Sequence, residues 1–171
     1  MRLKQGCSGI WIAAAAAAID QISKSAIRRI YENRPSLWLT GSGRLWEWQG
    51  LFAIRATSNT GVAFSMLSSS GIALILFTAL IIAALTGWLI AKPNALPKTA
   101  RAGMWMIIGG GLGNLYDRIV YGAVMDFIEP LFVRFAVFNV ADIAIVCGAI
   151  LTAVSIYIDE SRKDTAHERE I

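Results

Sequence analysis

The sequence predicts an all-α membrane protein with four transmembrane helices and a small β-rich part between helices 1 and 2. Hydrophobic residues make up 56% of the 171 residues and charged residues only 16%, and the mean hydropathy of +0.54 lies above the range of typical soluble domains. The chain also contains four apolar runs close to the roughly 20 residues that a helix needs to cross a bilayer. The remaining length allows one modest extramembrane part, so residues 1–171 are expected to form a single membrane-embedded domain.

The first two apolar runs lie at residues 10–27 and 71–91. The second run, GIALILFTALIIAALTGWLIA, carries no charge and would rise about 31 Å as an α-helix, which is enough to span the membrane. The first run reaches spanning length only if Asp20 and Lys24 lie inside it. Residues 31–70, between these helices, mix Trp, Phe, β-branched residues and glycines, and weak alternation over residues 51–57 favours short strands.

Tryptophans are concentrated in this connection between helices 1 and 2. Trp38, Trp46 and Trp48 suit the membrane interface, where aromatic rings are enriched. They suit the core of a small extramembrane fold equally well. The sequence leaves both interpretations open.

The third and fourth runs are each polar at one end. They cover residues 102–120, with Asn114, Asp117 and Arg118 near the end, and residues 138–158, with Asn139 and Asp142 in the first turns. In an alternating four-helix topology these ends meet the C-terminal end of helix 1, so the polar residues of three helices are expected to cluster in one leaflet. Three polar pairs are spaced three or four residues apart, which places each pair on one helix face: Asp20–Lys24, Asn114–Arg118 and Asn139–Asp142.

Asp126 and Asp142 lie among apolar residues at the edges of predicted membrane helices, in the segments GAVMDF and FNVADIAI. An ionisable group inside a membrane costs about 2.5–3.5 kcal/mol on insertion scales, so such residues are usually functional. Two carboxyl groups that share a site do not both ionise easily, and one then acts as a base towards water while the other acts as an acid towards a carbonyl oxygen. We interpret this pair as a catalytic centre, without assigning the resting proton to either residue.

The distribution of Lys and Arg indicates the orientation of the chain. Eight of these residues lie in short segments on one side of the predicted helices: Arg2, Lys4, Lys92, Lys98, Arg101, Arg162, Lys163 and Arg169. The basic residues on the other side are spread through longer stretches. The positive-inside rule therefore places both termini in the cytoplasm, with residues 159–171 as a solvated tail, and it places residues 31–70 and the polar cluster on the extracytoplasmic side, near the outer leaflet.

Other functions and sites find little support in the sequence. The net charge of +4 comes from basic residues in tails and loops rather than from a stripe with interleaved aromatics, so we expect no nucleic-acid binding. Cys7 and Cys147 lie far apart, and the only histidine is His167 in the charged tail, so we expect no disulfide, metal or cofactor. The N-terminal run also has features of a cleaved signal peptide, but cleavage there would leave three spans and strand the polar end of helix 1.

Five sequence blocks, in this order, closely resemble those of the bacterial lipoprotein signal peptidases, also called signal peptidase II. The blocks are DQISK (20–24), NTGVAF (59–64), GGLGNLYDR (110–118), VMDF (124–127) and FNVAD (138–142). They extend from helix 1 to helix 4, and although each block alone is weak evidence, the five together are specific. Ser58 stands where the family commonly has an aromatic residue, and Val62 where alanine is usual, which concerns the shape of that loop rather than the chemistry.

This resemblance implies a four-helix aspartyl peptidase of the bacterial inner membrane with an extracytoplasmic β-rich cradle. Such an enzyme removes the signal peptide from prolipoproteins whose cysteine carries diacylglycerol, and it cuts before that cysteine. The implied catalytic pair is Asp126 and Asp142. The implied supporting residues are Asp20, Lys24, Asn59, Gly61, Asn114, Asp117, Arg118 and Asn139. The expected partners are lipidated precursors and membrane lipid, and the enzyme is expected to be a monomer.

The polar residues around the pair have separable expected roles. Asp20 and Lys24 are interpreted as a structural ion pair, and Asp117 and Arg118 as a second, inward-facing pair. Asn139, one turn before Asp142, is expected to orient a carboxylate or the scissile amide. A group of glycines is interpreted as helix packing rather than as a path for substrate: Gly109, Gly110, Gly111 and Gly113.

Two other functions are compatible with the sequence. A small proton-coupled transporter also uses membrane carboxylates as proton relays, although such proteins commonly carry inverted repeats and place these groups near the midplane. A non-enzymatic scaffold would use polar residues only to join helices, and it does not require a second acid at the membrane boundary. Cleavage of a lipidated precursor separates the peptidase from both alternatives.

Overall fold

The computed structural model describes residues 9–34, 43–61 and 71–168, with side chains up to residue 165. Within these residues the chain forms four helices and one three-stranded sheet. The helices are α1 (Ile10–Glu32), α2 (Gly71–Ala91), α3 (Lys98–Tyr121) and α4 (Val140–Glu168). The strands are β1 (Arg44–Trp48) and β2 (Phe52–Asn59), between α1 and α2, and β3 (Val124–Pro130), between α3 and α4.

Each predicted helix is present, and the largest difference in bounds is at the end of α4. Residues 159–168 continue this helix into the expected solvated tail, and the side chains described there, up to residue 165, are mostly exposed. Contacts four residues apart support the extension: Lys163 pairs with Asp159, and the hydroxyl of Thr165 donates to the carbonyl of Ser161. The ion pair, with the acid four residues before the lysine, adds a small increment to the stability of the helix.

Three of the helices are long and apolar enough to cross a membrane. They are the segments Ile10–Glu32, Gly71–Ala91 and Val140–Thr165. Helix α3 has 24 residues, which corresponds to about 36 Å, but its charged residues and glycines lower its hydropathy. Its span therefore stays a prediction. The polar residues of α3 are compatible with a position inside the bundle, since Asn114 and Asp117 are buried against neighbouring elements rather than exposed.

Glycines on α3 bring its backbone into contact with α1 and α4. A Cβ atom at Gly109 would lie 2.4 Å from the carbonyl oxygen of Ala13, and one at Gly110 would lie 2.4 Å from that of Ala141. Further along, a Cβ at Gly103 would lie 2.5 Å from the oxygen of Gly148. Small residues permit such close approach of membrane helices. The geometry therefore supports the interpretation of these glycines as packing positions, and α3 is the central helix of the bundle.

The three strands form one antiparallel sheet in the order β1–β2–β3. The prediction of short strands between helices 1 and 2 is confirmed by β1 and β2. The prediction that the β-rich part lies only between those helices is wrong, because β3 comes from the connection between α3 and α4. Gly122, in the left-handed conformation at φ 74°, ends α3 and turns the chain into β3. In the sheet, Asp126 of β3 lies opposite Thr57 of β2.

Tyr31 fastens the end of α1 to the sheet. Its hydroxyl donates to the carbonyl oxygen of Gly43 at 2.6 Å and accepts from the backbone N–H of Ala56 at 3.0 Å, and the side chain is buried. Trp46 and Trp48 are both about half exposed, so they do not form the core of a small fold, which favours the membrane-interface interpretation for these two. Trp38 lies outside the described residues.

Candidate active site

Asp126 projects from β3 into a pair of amide donors. Its Oδ1 accepts a hydrogen bond from Asn139 Nδ2 at 2.7 Å, and its Oδ2 accepts one from Asn59 Nδ2 at 2.9 Å. The side chain is 2% exposed. Burial raises the pKa of Asp126 above its ordinary value, the hydrogen bond from Asn59 opposes this, and the nearby charge of Asp142 raises the pKa further. This carboxyl group therefore holds a proton more readily than an ordinary aspartate.

Asp142 lies in the first turn of α4, where it forms a reciprocal cap with Asn139. The Oδ2 atom of Asp142 accepts from the backbone N–H of Asn139 at 3.1 Å, and Asn139 Oδ1 accepts from the backbone N–H of Asp142 at 3.0 Å. This is the capping-box arrangement, with Asn at the N-cap and Asp three residues later. The predicted Asn139–Asp142 pair is confirmed.

Two asparagine side chains link the carboxyl groups into one network. Asn114 Nδ2 donates to Asp142 Oδ1 at 2.9 Å, and Asn114 Oδ1 accepts from Asn139 Nδ2 at 3.0 Å. Asn139 thus donates to Asp126 and to Asn114 while it caps α4. Among the described residues, no Lys or Arg side chain is within ion-pairing distance of Asp126 or Asp142. We call this group the amide network: Asp126, Asp142, Asn59, Asn114 and Asn139.

A second group of charged residues lies beside the amide network. Lys24 Nζ is 2.8 Å from Asp20 Oδ2 and 3.1 Å from Asp117 Oδ2, and Arg28 Nη2 is 2.9 Å from Asp117 Oδ1. The side chains of Asp20, Lys24 and Asp117 are fully buried. The predicted Asp20–Lys24 ion pair is confirmed. Two acids and two bases neutralise one another here, and we call these four residues the ion-pair cluster.

The ion-pair cluster supports the amide network through three hydrogen bonds. Asp20 Oδ1 accepts from the backbone N–H of Ala141 at 3.0 Å, which holds the first turn of α4. Asp117 Oδ2 accepts from the backbone N–H of Met125 at 3.1 Å, next to Asp126 in β3. Lys24 Nζ donates to Asn114 Oδ1 at 3.0 Å. The cluster thereby connects α1 and α3 to both segments that carry the candidate dyad.

Asp117 and Arg118 do not form the pair expected from the sequence. Adjacent residues on a helix point in different directions, and Asp117 pairs with Lys24 and Arg28 instead. Arg118 Nη1 donates to the backbone oxygen of Asn114 at 3.3 Å, while its buried Nε has no acceptor in the structure. Arg118 therefore lies at the edge of the site, close enough for the charges of Asp126 and Asp142 to act on it.

Sequence reasoning missed Arg28 and Gln21. The guanidinium group of Arg28 lies 3.7 Å from the ring centroid of Tyr121, which positions it for its bond to Asp117. Gln21 Nε2 donates to Asp117 Oδ1 at 3.2 Å and to the carbonyl oxygen of Gly113 at 3.0 Å. The available signal was spacing: Arg28 follows Lys24 by four residues and therefore shares its helix face.

Gly61 orients Asn59 towards Asp126. The backbone of Gly61 has φ 80°, a conformation that favours glycine, and its N–H donates to Asn59 Oδ1 at 2.9 Å. With its oxygen held in this turn, Asn59 presents its Nδ2 to Asp126. The rest of the NTGVAF block, residues 62–64, lies outside the described residues.

The described residues contain no cluster of metal-binding side chains. Within residues 9–34, 43–61 and the described part from 71 onwards, no group of three or more His, Cys, Asp or Glu side chains is arranged to hold a metal ion. The expectation of metal-free chemistry stays a prediction, and chelators are expected to leave activity unchanged. Cys147 is a free, exposed thiol, while Cys7 lies outside the described residues.

Several known proteins are similar to this chain in sequence and fold. Residues 12–158 match the family model described as signal peptidase (SPase) II. The chain is 33% identical to a lipoprotein signal peptidase of Pseudoalteromonas translucida, over 94% of this chain and 95% of that protein. It is also 33% identical to one of Actinobacillus succinogenes, over 95% and 98%. A solved structure described as a bacterial membrane enzyme has a TM-score of 0.72 and 26% identity, and the match covers 91% of each chain.

Proposed function

Because this chain belongs to the signal peptidase II family, which consists of aspartic peptidases, we propose that it removes the signal peptide from diacylglyceryl-modified prolipoproteins and cuts before the lipidated cysteine. The observation that carries the proposal is the amide network. Asp126 and Asp142 are joined through Asn114 and Asn139 without a cation in ion-pairing contact. Two carboxyl groups held in this way can divide acid and base roles.

In the proposed mechanism, Asp126 is protonated and Asp142 is ionised before the reaction begins. Asp126 is almost fully buried, and burial raises its pKa, whereas Asp142 is only partly buried in the first turn of α4. Asp142 takes a proton from water as the water oxygen attacks the scissile carbonyl carbon. Asp126 donates its proton to the carbonyl oxygen, which gives a neutral tetrahedral intermediate.

Collapse of this intermediate completes the hydrolysis. The proton that Asp142 received passes to the leaving amine nitrogen, the C–N bond breaks, and the proton on the hydroxyl group returns to Asp126 as the carbonyl reforms. The products are a signal peptide with a new carboxyl end and a lipoprotein with a free amino group on its cysteine. Asn59, Asn114 and Asn139 keep the two carboxyl groups in position throughout.

The proposed topology has four spans, with α3 inside the bundle, both termini in the cytoplasm and the amide network near the outer leaflet of a bacterial inner membrane. The positive-inside distribution of Lys and Arg supports this orientation. A cysteine at Gln49, in the exposed β1–β2 turn, introduced into a chain that lacks Cys7 and Cys147, is expected to react with a membrane-impermeant thiol reagent added outside intact cells. Labelling only after lysis would contradict the orientation.

A diacylglyceryl group explains why the site should lie at the membrane surface. The lipid stays in its leaflet, so a dyad at the same level meets the scissile bond without extracting the chains. Most of the apolar surface of the lipid is already out of water, and the lipid therefore contributes mainly by placing the bond correctly. Lipidation should then raise the cleavage rate at saturating substrate more than it raises affinity.

The test compares two precursors of the same sequence in the same micelles. One carries a diacylglyceryl cysteine, and the other carries an unmodified cysteine. We expect the first to lose the mass of the signal peptide and the second to be cut very poorly even at saturating concentration. Comparable turnover of both precursors would show a general signal peptidase and would overturn the proposed specificity. No cleavage of either precursor by folded protein would overturn the peptidase assignment.

A further inference from the structure

A cavity of about 700 Å³ lies at the end of the bundle opposite the amide network. The start of α1, the loop between α2 and α3, and the first turns of α3 form its walls. The cavity and the network are separated along α3 by the distance from Arg101 to Asn114, about 20 Å at 1.5 Å per residue. None of the residues that line this cavity belongs to the amide network or to the ion-pair cluster.

The lining of this cavity is positively charged. Lys98 and Arg101 line it, and its described lining includes no acidic residue. Arg101 donates to the carbonyl oxygen of Pro93, so its side chain is fixed against the loop. The first turn of α3 contains no acid, and Pro97 at its N-cap provides no side-chain cap. Uncapped N–H groups at a helix start attract anions.

Trp105 provides a second, independent indication of a ligand. Its side chain is 2% exposed and lines the cavity, and its Nε1 has no hydrogen-bond acceptor in the structure. The pyrrole ring of the indole packs against Gly9, another lining residue, where a Cβ atom would lie 2.1 Å from Cδ1 and 2.7 Å from Nε1. A buried donor without an acceptor is costly. An acceptor on a bound ligand would satisfy it.

We propose that this cavity binds the phosphate of an anionic phospholipid from the leaflet opposite the active site. The lysine, the helix start and the indole N–H supply charge and hydrogen-bond donors for a phosphate oxygen. Ile10 and Trp11 are more than half exposed beside the cavity, so acyl chains attached to the phosphate find an apolar surface there. A free phosphate ion would leave this surface unused. Basic pockets between membrane helices bind lipid headgroups in this way.

The test uses the full chain, purified in zwitterionic detergent. Short-chain phosphatidylglycerol, short-chain phosphatidylcholine and inorganic phosphate are each titrated, and apparent Tm and lipid retention in native mass spectrometry are measured. We expect phosphatidylglycerol alone to raise the Tm and to remain bound at one molecule per chain. Replacement of Lys98 by Gln should weaken its binding about fivefold, since one basic residue near a lipid surface contributes about this factor.

Two further variants sharpen the test. Trp105→Phe keeps an aromatic ring and removes the N–H, and it should also weaken binding of phosphatidylglycerol. Lys92→Gln is the matched control, because Lys92 is exposed at the same end of the molecule but does not line the cavity. It should bind phosphatidylglycerol as the unaltered protein does. If Trp105→Phe does not fold, the comparison of Lys98→Gln with Lys92→Gln still shows whether phosphatidylglycerol binds at this cavity.

Five outcomes would overturn the proposal. Equal binding of phosphatidylglycerol and phosphatidylcholine would show that the cavity does not discriminate between headgroups by their charge. Unchanged binding in Lys98→Gln, or equal loss in Lys98→Gln and Lys92→Gln, would place the lipid elsewhere. An equal Tm increase with inorganic phosphate would show a site for the free ion. A loss of Tm in Lys98→Gln that is the same with and without lipid would place the lysine in contacts within the chain.

Discussion

The amide network and the ion-pair cluster lie side by side, and they differ in what neutralises their carboxyl groups. Asp20 and Asp117 contact the cations Lys24 and Arg28. Asp126 and Asp142 receive hydrogen bonds from the neutral amides of three asparagines and from a backbone N–H group. A cation in contact neutralises the charge of a carboxylate, whereas a neutral amide donor orients a carboxyl group without adding a charge. In the proposed mechanism, this difference separates residues that hold the site from residues that exchange protons.

The comparison predicts the largest loss of stability when Lys24 is removed. Lys24→Met would leave Asp20 without its cation and Asp117 with Arg28 alone, all in a buried setting. Breaking a buried ion pair in this way costs about 3–5 kcal/mol. Thermal unfolding in micelles measures the effect, and Lys92→Met, which changes an exposed lysine, should leave the Tm nearly unchanged. Equal Tm values for the two variants would show that the cluster does not support the fold.

Substitution of Gly113 tests how closely the backbone of α3 must approach the ion-pair cluster. A Cβ atom there would lie 2.5 Å from Asp20 Oδ2, so Gly113→Ala should displace Asp20 and cost about 1–3 kcal/mol. Gly87 on α2 is the matched control, because a Cβ there meets no atom within 4 Å. Gly87→Ala should stabilise by about 0.4–1 kcal/mol. Opposite signs of the two Tm changes are the expected result, and a Tm increase in both variants would contradict the packing account.

The side chain of Asn139 has two roles, since it caps α4 and donates to Asp126. Two substitutions of Asn139 separate these roles. Asn139→Ala removes the cap of α4 and the donor to Asp126, and the loss of the cap should cost about 1 kcal/mol. Asn139→Asp retains a capping oxygen but removes the donor to Asp126 and adds a like charge. We expect both variants to lose cleavage and only the alanine variant to lose the cap. A fully active Asn139→Asp enzyme would show that the bond to Asp126 is not used.

Asp126 should also affect stability in a pH-dependent way, and this is the smallest expected effect. Because its folded-state pKa is raised above the ordinary value of 3.8, its contribution to stability is fully present below that value and is lost as pH rises through the folded-state pKa. Asp126→Asn should therefore raise the Tm at pH 7 relative to the unaltered protein. This gain should shrink as pH falls towards 4. A Tm deficit at pH 7 that disappears in acid would mean that the pKa is lowered instead.

The sequence predicted the parts of this site that depend on local patterns. Helix positions follow from apolar runs, and the pairs Asp20–Lys24 and Asn139–Asp142 follow from helical spacing within single elements. The third strand did not follow, because its partner β2 is more than 60 residues away in the chain and pairing over that distance leaves little local signal. The choice of Arg28 rather than Arg118 as the partner of Asp117 depends on the packing of α1 against α3.

The most direct test of the account measures cleavage and stability together in three Asp→Asn variants, at positions 20, 126 and 142. A precursor with a diacylglyceryl cysteine is incubated with each purified protein, the mass of the product is followed in a single turnover, and the Tm is measured in the same micelles. Asp126→Asn and Asp142→Asn should remain folded and lose cleavage by about 10³-fold or more, because an amide cannot exchange the proton. Asp20→Asn should lose Tm, while its folded fraction still cleaves. Robust cleavage by folded Asp126→Asn or Asp142→Asn would contradict the account.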